Sequence, residues 1–182
     1  MQESPSFKRE LLATLPSLRA FAVSLSGRHD RADDLVQDTM MKAWAKQDSY
    51  QMGTNIKAWL FTILRNEFYT VFRKRKREVE DADGIIAANV GVHPEQDGHM
   101  DLTDMQQALG HLPVDQREAL LLVSASDMSY EEAAVICGVA VGTIKSRVNR
   151  ARARLAELLH LKEASDFGPR PEVKAALMVK SS

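Results

Sequence analysis

Apolar residues recur every three to four positions along most of the chain, and strand-like alternation is scarce. Leu11, Leu15, Leu18, Ala22 and Leu25 share one helical face. Pro16 is placed to divide that stretch into a short helix and a longer one starting near Thr14, and Gly27 is a stop signal. Asp30 then reads as an N-cap, with Asp33 and Asp34 adding negative charge near the positive end of a helix that runs to about Gln47. Its buried positions are Leu35, Met40, Ala43 and Trp44, while Asp34, Gln37, Asp38 and Lys42 form a polar edge that the pattern alone treats as solvated. Gly53-Thr54-Asn55 marks a loop and a new start. The helix from Ile56 to about Arg77 carries two stripes: Leu60, Ile63, Leu64, Phe68 and Val71 for a core, and Phe61, Arg65, Tyr69 and Phe72 beside it.

Residues 78–100 lose this periodicity and contain three glycines and one proline, the composition of a flexible connection. Helical spacing resumes from Asp101 to about Leu112, and Pro113 opens a further helix with Leu120, Leu121 and Val123 available to a core. Ser129-Tyr130-Glu131-Glu132 has the spacing of a capping box, in which the serine hydroxyl and the glutamate carboxylate satisfy each other's backbone amides. The helix Tyr130–Ile136 ends at Cys137-Gly138, and a short turn leads to another from about Val141, with Ile144, Val148, Ala151, Leu155 and Leu158 inward. This is a helix-turn-helix pattern. The expected fold is therefore all-α: two helical domains, residues 1–77 and 101–163, joined by the acidic linker 78–100 and followed by a tail, 164–182.

The chain of 182 residues, 45% apolar, suits two small helical domains. No apolar run is long enough to cross a bilayer, the N-terminus has no basic start followed by an apolar run, and the single Cys137 excludes an internal disulfide, so the sequence reads as cytoplasmic and without a membrane partner. The net charge of −1 conceals a segregation. Residues 73–77 are all basic; Lys145, Arg147, Arg150, Arg152 and Arg154 fall within ten residues; residues 78–104 hold eight acids and no Lys or Arg. Two basic patches and an acidic strap fit a polyanion-binding protein, and solvated helix faces fit the charge pattern as well.

Aromatics interleaved with arginines, as in Phe61, Arg65, Tyr69 and Phe72 ahead of Arg73, Lys74, Arg75 and Arg77, are what single-stranded DNA requires: rings stack on unpaired bases while cations hold phosphates. A wider core is the alternative reading of the same rings. In the second half, Thr143, Lys145, Ser146, Arg147, Asn149 and Arg150 project from the N-terminal half of the second helix of the helix-turn-helix, where base edges are read, with Arg152 and Arg154 farther along for phosphates. No glycine-rich phosphate loop, no nucleophile with a positioned base and no cluster of metal ligands stands out; His93 and His99 lie near acids without cysteine pairs. The expectation is a protein that is not an enzyme and takes no metal or cofactor.

Two such domains in this order resemble regions 2 and 4 of bacterial sigma factors. Asp34-Leu35-Val36-Gln37-Asp38 with Lys42-Ala43-Trp44 resembles the region 2 helix that docks on the β′ clamp helices of core RNA polymerase, which makes Asp34, Gln37, Asp38 and Lys42 contact candidates. Asn55-Ile56-Lys57-Ala58-Trp59-Leu60 with Leu64-Arg65-Asn66 resembles the segment that recognises and melts the −10 element, adding Asn55, Lys57 and Asn66 to the DNA candidates. Leu112-Pro113-Val114-Asp115-Gln116-Arg117 and Gly142-Thr143-Ile144-Lys145-Ser146-Arg147 resemble region 4, which reads the −35 element and sits at the β flap. With nothing corresponding to regions 1 or 3, the resemblance is to the small extracytoplasmic-function class, whose linker is implied to thread the RNA exit path. Phe7-Lys8-Arg9, Gly53-Thr54-Asn55, Glu78-Val79-Glu80-Asp81 and Pro94-Glu95-Gln96-Asp97 resemble the EcfG group, the general stress response sigma factors, which implies a small anti-sigma factor of the NepR type as a partner. Thr70 departs from the class, where many members carry Asp. A sigma-like decoy should have lost its basic recognition surface, and a helix-turn-helix regulator acting without polymerase leaves the aromatic-basic helix unexplained.

Overall fold

The computed structural model describes residues 7–81 and 102–159. These form seven α-helices and one short 3-10 turn, with no strand among them: α1 (Phe7–Ser26), α2 (His29–Ala45), the 3-10 turn (Gln47–Ser49), α3 (Ile56–Asp81), α4 (Leu102–Gly110), α5 (Val114–Ser124), α6 (Tyr130–Cys137) and α7 (Val141–Leu158). The all-α expectation holds for all of them. Of the linker expected at 78–100, residues 78–81 are the last turn of α3, and 82–100 lie outside the described residues, as does the whole of the tail expected at 164–182.

α1, α2 and α3 pack on one another, with Leu18, Leu25, Ala32, Ala43, Leu60, Phe61 and Leu64 excluded from solvent. α5, α6 and α7 form the second bundle around Leu120, Leu121, Ala133, Ile144, Val148 and Leu155, with Met105 and Leu109 of α4 completing it. The buried residues of both bundles join into one apolar cluster, because α1 rests on α5 and α3 on α6.

Four expectations about elements are corrected. Pro16 does not divide α1, which runs unbroken through it. A proline removes one backbone hydrogen bond, here to Leu12, and Leu12, Ala13 and Pro16 all lie on the exposed side, where water reaches the freed carbonyl. Leu11, Thr14 and Leu18 on the opposite side are buried and hold the two halves in line. Asp30 is not the N-cap of α2: the helix begins at His29 after an extended Arg28, and Asp30 sits in the first turn, paired with the Arg28 guanidinium at 2.6 Å. Trp44 is 49% exposed, since the buried face of α2 is Ala32, Leu35, Val36, Thr39 and Ala43, and a residue next to Ala43 lies about 100° away from it. Its ring instead meets Phe7, which also contacts Tyr50 and Trp59. Finally, α3 continues four residues past Arg77 to Asp81, as no glycine or proline intervenes before Gly84.

The local signals of the second bundle are realised as the sequence suggests. The Glu132 amide donates to the Ser129 hydroxyl at 3.0 Å, and the Ser129 amide donates to the Glu132 carboxylate at 2.8 Å. Gly138 ends α6 at φ +66°, a left-handed conformation that glycine adopts without strain.

Candidate nucleic-acid interface

α7 is the second helix of the helix-turn-helix. Ile144, Val148, Ala151 and Leu155 recur at helical spacing and are buried, which turns the intervening positions outward. Lys145, Asn149, Arg150 and Arg154 are exposed, and Thr143 and Ser146 are half-exposed. Lys145 lies over the Tyr130 ring, 5.9 Å from its centroid, which ties this face to α6. Arg147 is only 20% exposed and turns back to Asp115 of α5 at 3.2 Å. The phosphate-contact expectation meets two arrangements. Arg154 stays at the surface with Glu157 at 2.8 Å, whereas Arg152 runs inward across α5 toward the Ser124 hydroxyl at 3.5 Å, its Nε buried without a partner. Arg152 is therefore a strut between α7 and α5 in this arrangement rather than a free cation.

α3 carries the other candidates. Lys57, Phe61, Arg65, Tyr69 and Arg73 stand four residues apart, so they form one stripe along the helix. Phe61, expected among the DNA-facing rings, is fully buried, its ring 4.8 Å from that of Phe21 in α1. No base reaches it here; the core alternative applies to this ring, because the stripe leans toward α1 at that turn. Phe72 is 46% exposed and Tyr69 half-buried. Asn66, Arg73, Lys74, Arg75 and Arg77 are exposed, with Arg73 donating to the Tyr69 carbonyl.

The remainder of the stripe faces the C-terminal bundle. Arg65 approaches Glu118 of α5, Nε to Oε1, at 2.7 Å, and its guanidinium lies 4.6 Å from the Tyr69 ring centroid. The Tyr69 hydroxyl donates to the other Glu118 oxygen at 3.1 Å. Lys57 donates to the Ser126 carbonyl at 2.6 Å, and Asn55 to the Glu132 carboxylate at 2.6 Å, while the Asn55 side-chain Oδ1 accepts from the Ala58 amide at the start of α3. Glu118 has no exposure at all, and burial pushes its carboxyl above the usual carboxylate range against the opposing pull of Arg65 and Tyr69. Burial and then the same carboxylate push the Cys137 thiol up to about 12. Sequence reasoning missed Glu118, although it falls on the apolar stripe of α5 with Val114, Leu121 and Leu122: an acid on a core face is the signal that could have found it.

On α2, Asp34, Gln37 and Asp38 are exposed and Lys42 reaches Glu67 of α3 at 2.6 Å. Asp34 and Asp38 border a cavity of about 300 Å³ whose walls include Leu35, Phe68, Phe72, Arg75 and Arg117. Arg117 is the odd member: its Nε is buried without a partner, and desolvation lowers its affinity for a proton. Among the described residues there is no group of His, Cys, Asp and Glu arranged to hold a metal, and no helix is long and apolar enough to cross a membrane.

Comparison with known proteins bears on both halves. Residues 11–78 match the family model of sigma-70 region 2, and residues 102–155 that of sigma-70 region 4. The ECF RNA polymerase sigma factor EcfG of Rhodopseudomonas palustris is 57% identical over 177 residues, 97% of this chain and 98% of that one. Among solved structures, the sigma factor RpoE in complex with the anti-sigma factor NepR from Bartonella quintana superposes with a TM-score of 0.77 at 64% identity, covering 86% of this chain and 98% of that one. CnrH in complex with the cytosolic domain of CnrY gives a TM-score of 0.56 at 27% identity, covering 86% of each chain. An aromatic-basic helix followed by a helix-turn-helix, each matching its own sigma region, defines a transcription initiation factor of the sigma-70 class. The chain belongs to the extracytoplasmic-function sigma factors, with its likeness to the EcfG group spanning almost its full length.

Proposed function

We propose that this sigma factor takes core RNA polymerase to a set of general stress response promoters, reading the −35 duplex with α7 and holding unpaired −10 bases along α3. The observation that carries the reading is the open N-terminal half of α7: Lys145, Asn149 and Arg150 are exposed together on one side of a helix whose other side is buried. Arginine and asparagine there suit guanine and adenine edges in a major groove. A decoy that never meets DNA has no use for such a face. The exposed Arg73, Lys74, Arg75 and Arg77 continue α3 into a phosphate-binding end, and Asn55, Lys57, Arg65, Asn66 and Tyr69 precede them.

The division of labour follows the two bundles, with residues 1–77 binding polymerase and −10 DNA, 78–100 linking, 101–163 binding −35 DNA and 164–182 forming a tail. Asp34, Gln37 and Asp38, exposed in consecutive turns of α2, form the docking edge for the β′ clamp helices, and Lys42 is oriented by Glu67 beside them. The C-terminal bundle meets the β flap. The partner named with the Bartonella protein extends to this chain as a NepR-type anti-sigma factor. The protein works in the cytoplasm and catalyses nothing itself; bond formation belongs to the polymerase.

The docking edge has a direct test. Purified Asp34→Ala/Asp38→Ala protein should lose association with core polymerase by roughly tenfold or more while its affinity for a NepR-type partner changes less, measured by fluorescence anisotropy of labelled protein. Unchanged polymerase affinity would remove α2 from the docking surface.

A further inference from the structure

Three arginines converge on the cavity of about 300 Å³ that α1, α2 and α3 form against α5. Arg31 and Arg75 are exposed, and among the described residues neither has a salt-bridge partner. They are close enough to repel each other: burial first, then Arg75 and Arg28, weaken the hold of Arg31 on its proton against the pull of Asp30. Arg117 enters from α5 with its Nε buried and without a partner, while its Nη1 donates to the Leu109 carbonyl at 3.3 Å. Guanidiniums gathered against their mutual repulsion make a seat for an anion, and their planar forks match phosphate oxygens.

The other walls suit a flat, partly apolar group with N–H donors. Phe68 and Phe72 stack with centroids 5.8 Å apart and planes 22° from parallel, and Phe72, the outer member, is 46% exposed. A further aromatic ring laid on Phe72 covers apolar surface that otherwise meets water. Asp34 and Asp38, one turn apart on α2, are exposed at the same cavity and can only accept. A carboxylate takes two parallel hydrogen bonds from adjacent donors, such as the ring N–H and exocyclic amino group of guanine; adenine has no such pair. The volume falls at the lower end of the range for small-molecule sites, which suits one nucleotide rather than a length of strand.

We propose that this cavity binds a guanine nucleotide carrying two or more phosphates, with the phosphates on Arg31, Arg75 and Arg117 and the base laid on Phe72 and read by Asp34 or Asp38. Phe72 and Arg75 also belong to the end of α3 proposed for DNA. Arg31 on α2 and Arg117 on α5 do not, and their placement makes a pocket rather than a track along one helix. The site rests on neither the promoter reading nor the polymerase-docking reading, and it is tested without DNA or polymerase.

Isothermal titration calorimetry of the full chain with guanosine diphosphate, adenosine diphosphate and pyrophosphate supplies the test. Guanosine diphosphate should bind saturably, and the other two roughly tenfold or more weakly. Arg31→Ala/Arg75→Ala alters exposed positions, so the helical circular dichroism should be retained while affinity for guanosine diphosphate falls roughly tenfold or more. Asp34→Ala/Asp38→Ala should act on the base alone: the preference for guanosine over adenosine diphosphate shrinks, and pyrophosphate binding does not fall. No saturable binding of guanosine diphosphate at millimolar concentration, or equal binding by the parent and the arginine variant, would overturn the site. Adenosine diphosphate held as tightly as guanosine diphosphate would remove the carboxylates from recognition, and pyrophosphate held as tightly would remove the seat for the base.

Discussion

Glu118 is the residue at which burial and charge are most at odds. Its carboxyl is raised first by desolvation, with Arg65, Tyr69 and the Cys137 thiol facing it from α3 and α6. In the unfolded chain the same group regains water and an ordinary pKa. The folded form therefore holds the proton more tightly, and folding is linked to proton uptake. Between the ordinary carboxylate range and the raised folded-state value, this contribution to stability should fall as pH rises; above that window it should level off. Urea unfolding followed across pH checks this, and the Glu118→Ala protein should lack that component.

At the scale of elements, caps and breakers make separable contributions. Ser129→Ala removes one half of the reciprocal capping pair at α6 and should cost about 1 kcal/mol in urea unfolding. Pro16→Ala restores a backbone donor within α1 at an exposed position and should stabilise by about 1–2 kcal/mol, less whatever the proline contributes by restricting the unfolded chain. A loss of stability in Pro16→Ala would mean that α1 depends on the proline. These two positions also mark what was legible in the sequence. Ser129, Glu132 and Gly138 act through their nearest neighbours, so spacing alone located α6, the turn and α7. Pro16 was misread because its effect depends on which side of α1 faces water, a tertiary matter. Trp44 and Phe61 show the same limit: periodicity names a face but not where its edge lies, and each ring sits at an edge. Glu118 was hidden differently, since its partners Arg65 and Tyr69 are 53 and 49 residues away, and nothing local announces them.

For the whole molecule, the two surfaces proposed for DNA are unequal in this arrangement. The face of α7 proposed for duplex DNA is open at Lys145, Asn149 and Arg150, while much of the α3 stripe proposed for unpaired bases is covered by the C-terminal bundle. Promoter selectivity should accordingly depend first on α7. The most direct measurement is transcription by purified core polymerase on a pool of genomic promoter fragments, with the parent protein, with Lys145→Ala/Arg150→Ala, and with none. Transcripts that need the parent protein, share upstream −35-like and −10-like elements and fall roughly ten- to hundredfold with the double variant are the result expected of a sigma factor reading duplex DNA through α7. Transcription equal in all three reactions would contradict it.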